Sequence, residues 1–285
     1  VHKNKLFYQN SIEIKGKFIG GPDPLVMGII NLTPDSFYSA SRKQSENEIL
    51  KTAEKMLSEG ADVLDLGAYS SRPQAINISI EEEWGRLKEV LRVLRLNFPN
   101  SILSVDTFRA NIAERALKEG VDIINDISGG NHDPDMFALI AHWNCPYILM
   151  HMKGTPQTMQ TMNQYSNMME EIYDYFEKKI EEYALSNFNK IIIDPGFGFA
   201  KNIEQNFELL SKIEVFKKFE KPLLIGISRK SMIYKSLDIE VDAALNGTTA
   251  LNMFALQNGA NVLRVHDVKE AVECVNLWKK LNQYA

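Results

Sequence analysis

The sequence is poor in cysteine. Two thiols, Cys145 and Cys274, stand far apart in 285 residues and in no metal-ligand spacing. That argues against a disulfide framework or a cysteine-held metal and leads us to expect a reducing, cytoplasmic setting. Long apolar runs are missing too. Nothing approaches the about 20 residues of a membrane span, so no membrane association is expected. Residues 1–19 also lack the continuous apolar stretch of a signal peptide. A basic excess is absent: 32 Lys and Arg face 37 Asp and Glu, a net charge of −5. This disfavours nucleic acid as a partner. The same field mildly repels anions, so an anionic substrate requires cations gathered locally. Finally, no Pro/Gly/Ser-rich linker divides the chain. At about 150 residues per domain the length alone suggests two, but one domain over 1–285 is the simpler expectation.

What the sequence does have is a repeated pattern. Short, β-branched apolar runs occur at Leu25–Asn31, Val63–Gly67, Ile102–Asp106, Ile123–Asp126, Tyr147–His151, Ile191–Asp194, Leu223–Ile227 and Val262–His266. Near-continuous hydrophobicity of this kind marks strands buried on both faces of a parallel sheet. Amphipathic segments of helical period lie between them, among them Glu46–Glu59, Ile80–Leu96, Asn111–Lys118, Tyr165–Ala184, Phe207–Phe216 and Ala243–Asn258. Gly60, Gly120 and Gly259 suit the left-handed position after a helix. Eight evenly spread βα units predict an α/β fold, a (β/α)8 TIM barrel, over an open doubly wound sheet. Residues 1–24, with Phe7, Ile12, Ile14 and Phe18 in weak alternation, are expected to form a β-hairpin over the barrel's N-terminal mouth.

In such a barrel the chemistry belongs at the C-terminal strand ends. Those positions carry Asn31, Asp65, Asp106, Asn125 with Asp126, His151, Asp194, Ser228-Arg229-Lys230, and Arg264 with His266. A single Asp there is more often a loop or helix cap. Eight polar strand ends together suggest convergence on one ligand. Asp106, Asn125 and Asp194 suit a flat heterocycle with amidine-like N–H donors, since a carboxylate accepts two parallel bonds and Asn offers a donor and an acceptor. Arg72, Arg229, Lys230, Arg264 and His266 are read as the local cations, and Ser231 as the start of a helix that can face an anion. Gly196-Phe-Gly-Phe199 is half of a dinucleotide fingerprint. It lacks the third glycine, which leaves close backbone approach as its better reading.

These segments together resemble the dihydropteroate synthases of the pterin-binding barrel family. The resemblance runs in order through Met27-Gly-Ile-Ile-Asn-Leu-Thr-Pro-Asp-Ser-Phe37, Asp65-Leu-Gly67, Ser70-Ser-Arg-Pro73 and Ser104-Val-Asp-Thr107. It continues through Ile124-Asn-Asp-Ile127, Met150-His-Met152, Asp194-Pro-Gly-Phe-Gly-Phe199, Ser228-Arg-Lys-Ser231 and Arg264-Val-His-Asp267. Departures fall on the first two loops: Tyr69, Ser71 and Gln74 replace an acid, a threonine and a glycine, and Tyr38-Ser-Ala-Ser-Arg42 replaces an Asp-Gly-Gly.

The resemblance implies condensation of 6-hydroxymethyl-7,8-dihydropterin diphosphate with p-aminobenzoate, with diphosphate released. It implies a pterin pocket of Asp106, Asn125, Asp194, Met150 and Lys230, with Arg264 lying over the ring. Asn31, Arg72, Arg264 and His266 would hold the diphosphate, with Mg2+ on Asn31. Asp35 would order the metal, support the developing cation or take the amine proton. Phe37 and Phe199 would flank the benzoate ring, and Ser231, Ser70 and Ser71 would complete its pocket. A homodimer through barrel helices is implied as well. Met150 also reads as plain core, Asp65 and His151 as supporting residues, and Arg229 as a surface ion-pair partner. A methyltetrahydrofolate–corrinoid methyltransferase or a non-catalytic pterin-binding paralogue is the alternative function. A methyltransferase has no diphosphate to bind.

Overall fold

The computed structural model describes residues 10–32, 42–70 and 77–284. Among these residues a hairpin comes first, β1 (Ile12–Ile14) and β2 (Lys17–Ile19), paired antiparallel. Alternating elements follow: β3 (Leu25–Asn31), α1 (Arg42–Ser58), β4 (Val63–Gly67), α2 (Ile80–Asn97), β5 (Ile102–Asp106) and α3 (Ala110–Lys118). Next are β6 (Ile123–Asp126), α4 (Asp135–Trp143), β7 (Tyr147–Met150), α5 (Met168–Ala184), β8 (Ile191–Asp194) and α6 (Ile203–Ser211). The chain ends with β9 (Leu224–Ile225), α7 (Ser231–Tyr234), α8 (Leu245–Gln257), β10 (Val262–Val265) and α9 (Val268–Asn282). The strands β3 to β10 form one parallel sheet in the order β8-β7-β6-β5-β4-β3-β10-β9. A parallel bridge between Ile193 and Leu223 joins β8 to the strand leading into β9 and closes the barrel.

Alternation along each strand sets the layers. One residue per strand points to the axis near the N-terminal end: Leu25, Val63, Ile102, Ile123, Ile148, Ile192, Leu224 and Val262 pack with Met27 in one apolar cluster. The hairpin adds Ile12, Ile14 and Ile19 to the same cluster and so plugs the N-terminal mouth. Lys15 pins the hairpin to the rim, donating to Asp122 Oδ2 at 2.8 Å and to the Ser101 carbonyl at 2.9 Å. The residues between, such as Leu64, Leu66, Leu103 and Val105, face the helices and build the larger outer core.

Some boundaries differ from the sequence expectation. β9 pairs over two residues only; beyond Ile225, Ser228 bonds through its side chain to His266 instead of extending the ladder. The segment read as a helix over Phe207–Phe216 starts earlier and divides. Asn202 and Gln205 form a reciprocal capping box that starts α6 at Ile203, and a 3-10 turn at Ile213–Phe219 follows it. Asn167 caps α5, so that helix begins at Met168 rather than Tyr165. Gly60, Gly120 and Gly259 have positive φ as expected. Phe7 and the loop segment 33–41 lie outside the described residues, as do 71–76.

Candidate active site

Two residues beyond the apolar floor, the same inward face turns polar. Asp65, Asn125, Met150, Asp194 and Arg264 follow their floor residues by two positions, and Asn31, Asp106 and His266 stand one further step up. A buried polar layer on an apolar floor requires satisfied partners. Arg264 supplies most of them, leaving Asp65 Oδ1 and Ser104 Oγ without a hydrogen-bond partner among the described residues. Its Nε donates to Asp65 Oδ2 at 2.7 Å and its Nη2 to Asp106 Oδ2 at 2.9 Å. Asn125 Nδ2 donates to the same Asp65 oxygen at 3.1 Å. Asp65 is completely buried. By accepting from the Asn125 amide it turns the Asn125 carbonyl the other way, and by accepting from Arg264 it fixes that guanidinium.

These contacts shape the titration of the layer. Burial works against the charge on Arg264, but Asp65 and Asp106 outweigh it and raise its pKa. Burial pushes the Asp106 carboxyl up to about 7; Arg264 opposes this, while Asp65 and Asp126 add to it. Asp194 is also raised by burial, against Lys230 and the Gly196 N–H that its Oδ1 accepts at 2.8 Å. Burial lowers Lys230 to about 8, with Asp194 holding it up and Arg264 pressing it down. Lys230 Nζ donates to the Phe197 carbonyl and lies 5.0 Å from the centre of the Phe199 ring. Met150 and Phe199 share an apolar patch with Met152, Met159, Ile127 and Phe108 on this side of the mouth. Carboxylates and cations therefore meet an apolar patch at one mouth, the pattern expected of a site for a flat polar ring.

Two sequence readings are corrected. Asp126 is not in the ring. As the neighbour of inward-facing Asn125 it points outward, where it accepts from Tyr147 Oη (2.7 Å), Ser128 N and Oγ (both 2.7 Å) and Gly130 N (2.9 Å). His266 is not a cation at neutral pH. Its ring stands open to solvent on one side, yet the crowding of protein atoms, then Arg264, Arg229 and Lys230, push it down to about 4, with Asp267 opposing. Its Nδ1 pairs with Ser228 Oγ at 3.1 Å. Arg229 takes the ion-pair role that was its other sequence reading: it makes two 2.8 Å hydrogen bonds to Asp267.

Asn31 ends β3 opposite Gly67. A Cβ on Gly67 would lie 3.8 Å from Asn31 Oδ1 and 3.7 Å from Asp106 Cβ, so these two side chains are neighbours across the glycine. No group of three acidic, His or Cys side chains gathers as a metal cage among the described residues. A lone neutral oxygen fits a hard cation that takes its other ligands from phosphate and water. Ser231 opens α7, a helix of only four residues, and Ser70 closes the described part of the second loop. Asp35, Phe37, Ser71 and Arg72 lie outside the described residues.

Sequence reasoning missed two buried charges. Glu83 on α2 is 1% exposed; it accepts from Thr107 Oγ1 and Arg109 Nη1, both at 2.7 Å, just beyond Asp106. Burial raises its pKa, with Thr107 and Arg109 opposing. Arg109 continues to the Ile78 carbonyl at 2.7 Å and lies 5.4 Å from the Tyr69 ring, tying the second loop's flanks to β5. Lys201, after β8, is the other. Glu83 looks like any acid in a helix's first turn, and Lys201 like a solvated loop cation, so neither has a local signal.

The pterin-binding enzyme family model matches residues 27–266. The dihydropteroate synthase of Escherichia coli K12 is 40% identical over 256 residues, covering 89% of this chain and 90% of that protein. Among solved structures, the Yersinia pestis dihydropteroate synthase with a sulfonamide drug superposes with a TM-score of 0.88 at 35% identity, covering 96% of this chain and 100% of that one. The Xanthomonas albilineans enzyme with 4-aminobenzoic acid gives 0.88 at 30% identity, covering 97% and 99%.

Proposed function

Since the chain belongs to the pterin-binding enzyme family, and within it to the dihydropteroate synthases, we propose how its own residues divide that reaction. It condenses 6-hydroxymethyl-7,8-dihydropterin diphosphate with p-aminobenzoate to 7,8-dihydropteroate and diphosphate. The observation that carries the division is the polar layer above the apolar floor, where Asp65 and Arg264 organise Asp106 and Asn125.

The pterin's aminopyrimidine edge donates to Asp106 and Asp194, and Asn125 adds an acceptor. Lys230 meets a ring acceptor, and Met150 packs on a ring face. Arg264, held in place by Asp65 and Asp106, meets the ring or the diphosphate. Leaving-group stabilisation is the main catalytic contribution, since preorganised cations act most strongly where water is excluded. His266 is neutral at working pH, so its part is a hydrogen bond to a phosphate oxygen, with Ser228 fixing the tautomer. Asn31 would hold Mg2+ together with phosphate oxygens, and the bound ion would supply positive charge for the leaving diphosphate. The arylamine is nucleophilic when neutral and needs no strong base. Phe199 and, by resemblance, Phe37 flank its ring; Ser231 with Ser70 and Ser71 meets its carboxylate. Arg72 and Asp35 keep the diphosphate and loop roles the resemblance implies.

Assembly and setting follow from other features. Phe254 on α8 and Leu277 and Leu281 on α9 are exposed apolar side chains and support a homodimer through these helices. Both cysteines are buried free thiols, in keeping with a cytoplasmic enzyme, and no described helix is long and apolar enough to cross a membrane. The test is diphosphate release from the pterin diphosphate. Release that requires both p-aminobenzoate and Mg2+ is expected. Release without p-aminobenzoate, or none from folded protein at saturating substrate, would overturn the assignment.

A further inference from the structure

The turn after β8 is built from unfavourable backbone. Gly196, Gly198 and Ala200 have φ of +73°, +79° and +50°, the last a conformation that a residue with a Cβ rarely adopts. Such a turn persists only if its surroundings over-determine it. Here they do so through side chains: Gly198 N donates to Asn206 Oδ1 at 2.7 Å, Lys230 holds the Phe197 carbonyl, and Tyr165 Oη donates to the Ala200 carbonyl at 3.0 Å.

Lys201 holds the two ends of the turn. It is 8% exposed. Its ammonium lies 3.0 Å from the Gly196 carbonyl, 3.1 Å from the Phe199 carbonyl and 3.1 Å from His151 Nδ1. Three N–H donors thus meet three acceptors, provided His151 is neutral with its proton on Nε2. Burial, followed by Lys201 and Lys153, keeps the imidazole well below its usual value, which supplies that state. His151 is itself anchored, its backbone N–H donating to the Asp194 carbonyl at 3.0 Å.

We propose that Lys201 is a positioning residue for both substrates: through the Gly196 and Phe199 carbonyls it sets the turn so that the Asp194 carboxylate and the Phe199 ring are presented together. The inference rests on the assignment of Asp194 to the pterin and Phe199 to p-aminobenzoate. It couples the two subsites, because one ammonium serves the carbonyls on either side of the turn.

The environment also makes the device sensitive to pH. Burial lowers Lys201 to about 7, with Asp194 holding it up and Lys230 and Lys153 pressing it down. The other titratable groups around the pair are His151, Tyr165 and Tyr175, and Glu171, which neutralises Lys153 at 2.6 Å. Above pH 7 the neutral amine keeps two donors for the two carbonyls and retains His151 only if that ring moves its proton to Nδ1, so the turn is held by weaker, uncharged hydrogen bonds. The contribution of Lys201 is therefore fully present when it is protonated and falls as pH rises through about 7, while ionisation of Asp106 raises pterin affinity over the same range, so the effect of Lys201 is read on p-aminobenzoate, which Asp106 does not meet.

The experiment measures KM for each substrate, and kcat, from pH 6 to 9 in the wild type, K201M and K201R, with urea unfolding of each. In K201M, KM for both substrates is expected to rise about tenfold, as for loss of a hydrogen bond to a charged group, with kcat changed less. K201R keeps its charge and is expected to recover most of the affinity and to lose the alkaline rise in KM near pH 7. Unchanged KM values in folded K201M would overturn the proposal. So would an alkaline rise near pH 7 in KM for p-aminobenzoate that persists in K201R, or its absence from the wild type, a measurement that stands even if neither variant folds; a later rise in KM for the pterin near pH 8 belongs to Lys230. D194N separates the two levels: wild-type pterin affinity there would refute the pocket assignment, whereas impaired D194N with unaffected K201M would refute only the role of Lys201.

Discussion

The triad of Asp65, Arg264 and Asp106 decides most of what the site can do at the scale of single residues. Crowding by the protein around the half-buried Asp106, with the Asp65 carboxyl beside it, outweighs the shared guanidinium of Arg264, so Asp106 holds a proton more readily than an exposed acid would. Pterin donors need the ionised form. As pH falls through about 7, Asp106 takes up a proton and the acceptor is lost, so binding weakens on the acid side. The affinity of the enzyme for 6-hydroxymethylpterin, titrated calorimetrically between pH 8 and pH 5.5, should fall toward tenfold per unit below the midpoint. D106N should bind weakly with no such slope; a flat wild-type profile would show that Asp106 does not read the pterin. The carboxylates at the strand ends were visible in the sequence because a charged residue closing an apolar run is conspicuous. Their partners were not, since Arg264 lies 199 positions from Asp65. The neutral state of His266 was equally hidden, because it depends on Arg264, Arg229 and Lys230 crowding one rim.

Among the elements, the joint between α2 and β5 shows how a helix supports a strand end. Ser79 caps α2 by accepting from Glu82 N at 3.1 Å, and the next residue, Glu83, turns inward to Thr107 and Arg109. Breaking a buried ion pair by removing one partner costs about 3–5 kcal/mol, because the other charge remains buried. Arg109 keeps some solvent contact, which places Glu83→Ala at about 3 kcal/mol. Urea unfolding should show that loss, and kcat/KM should fall with it as the residue after Asp106 loses its anchor. Full activity with an unchanged midpoint would leave the network without a role. The helix itself was legible from its period, since apolar residues recur over Ile80–Leu96. That one of its acids is buried was not, because an acidic first turn is also what an ordinary solvated helix start looks like.

Over the whole molecule, one apolar floor separates the hairpin side from the chemical side. Burying an isoleucine contributes about 1.5–3 kcal/mol, and Ile19 is almost fully buried beneath the floor. Ile19→Ala should therefore destabilise by about 2–4 kcal/mol, while KM for both substrates stays at the wild-type value because the polar layer sits above the floor. A large KM change without loss of stability would mean that the hairpin communicates with the site. The net charge of −5 is not offset by a local excess of cations among the described residues: Lys230 and Arg264 share the mouth with Asp65, Asp106 and Asp194, so each cation there is held by acids that fix its position.

The sequence by itself determined the barrel, because strands buried on both faces must be almost wholly apolar, and eight such runs between amphipathic helices fit a closed parallel sheet. It also determined which residues end those strands. Only the tertiary structure decided how they are used. Closure of the barrel chose the inward face, which admits Asn125 and turns Asp126 away one residue later. Packing of β10 against β3, in a sheet whose next members are β4 and β5, placed Arg264 between two acids that sequence distance keeps apart. The turn after β8 folded a lysine inward onto two carbonyls and a histidine. Local propensity reports the backbone and the periodicity of burial; partners, protonation states and buried charges are set by contacts between distant segments.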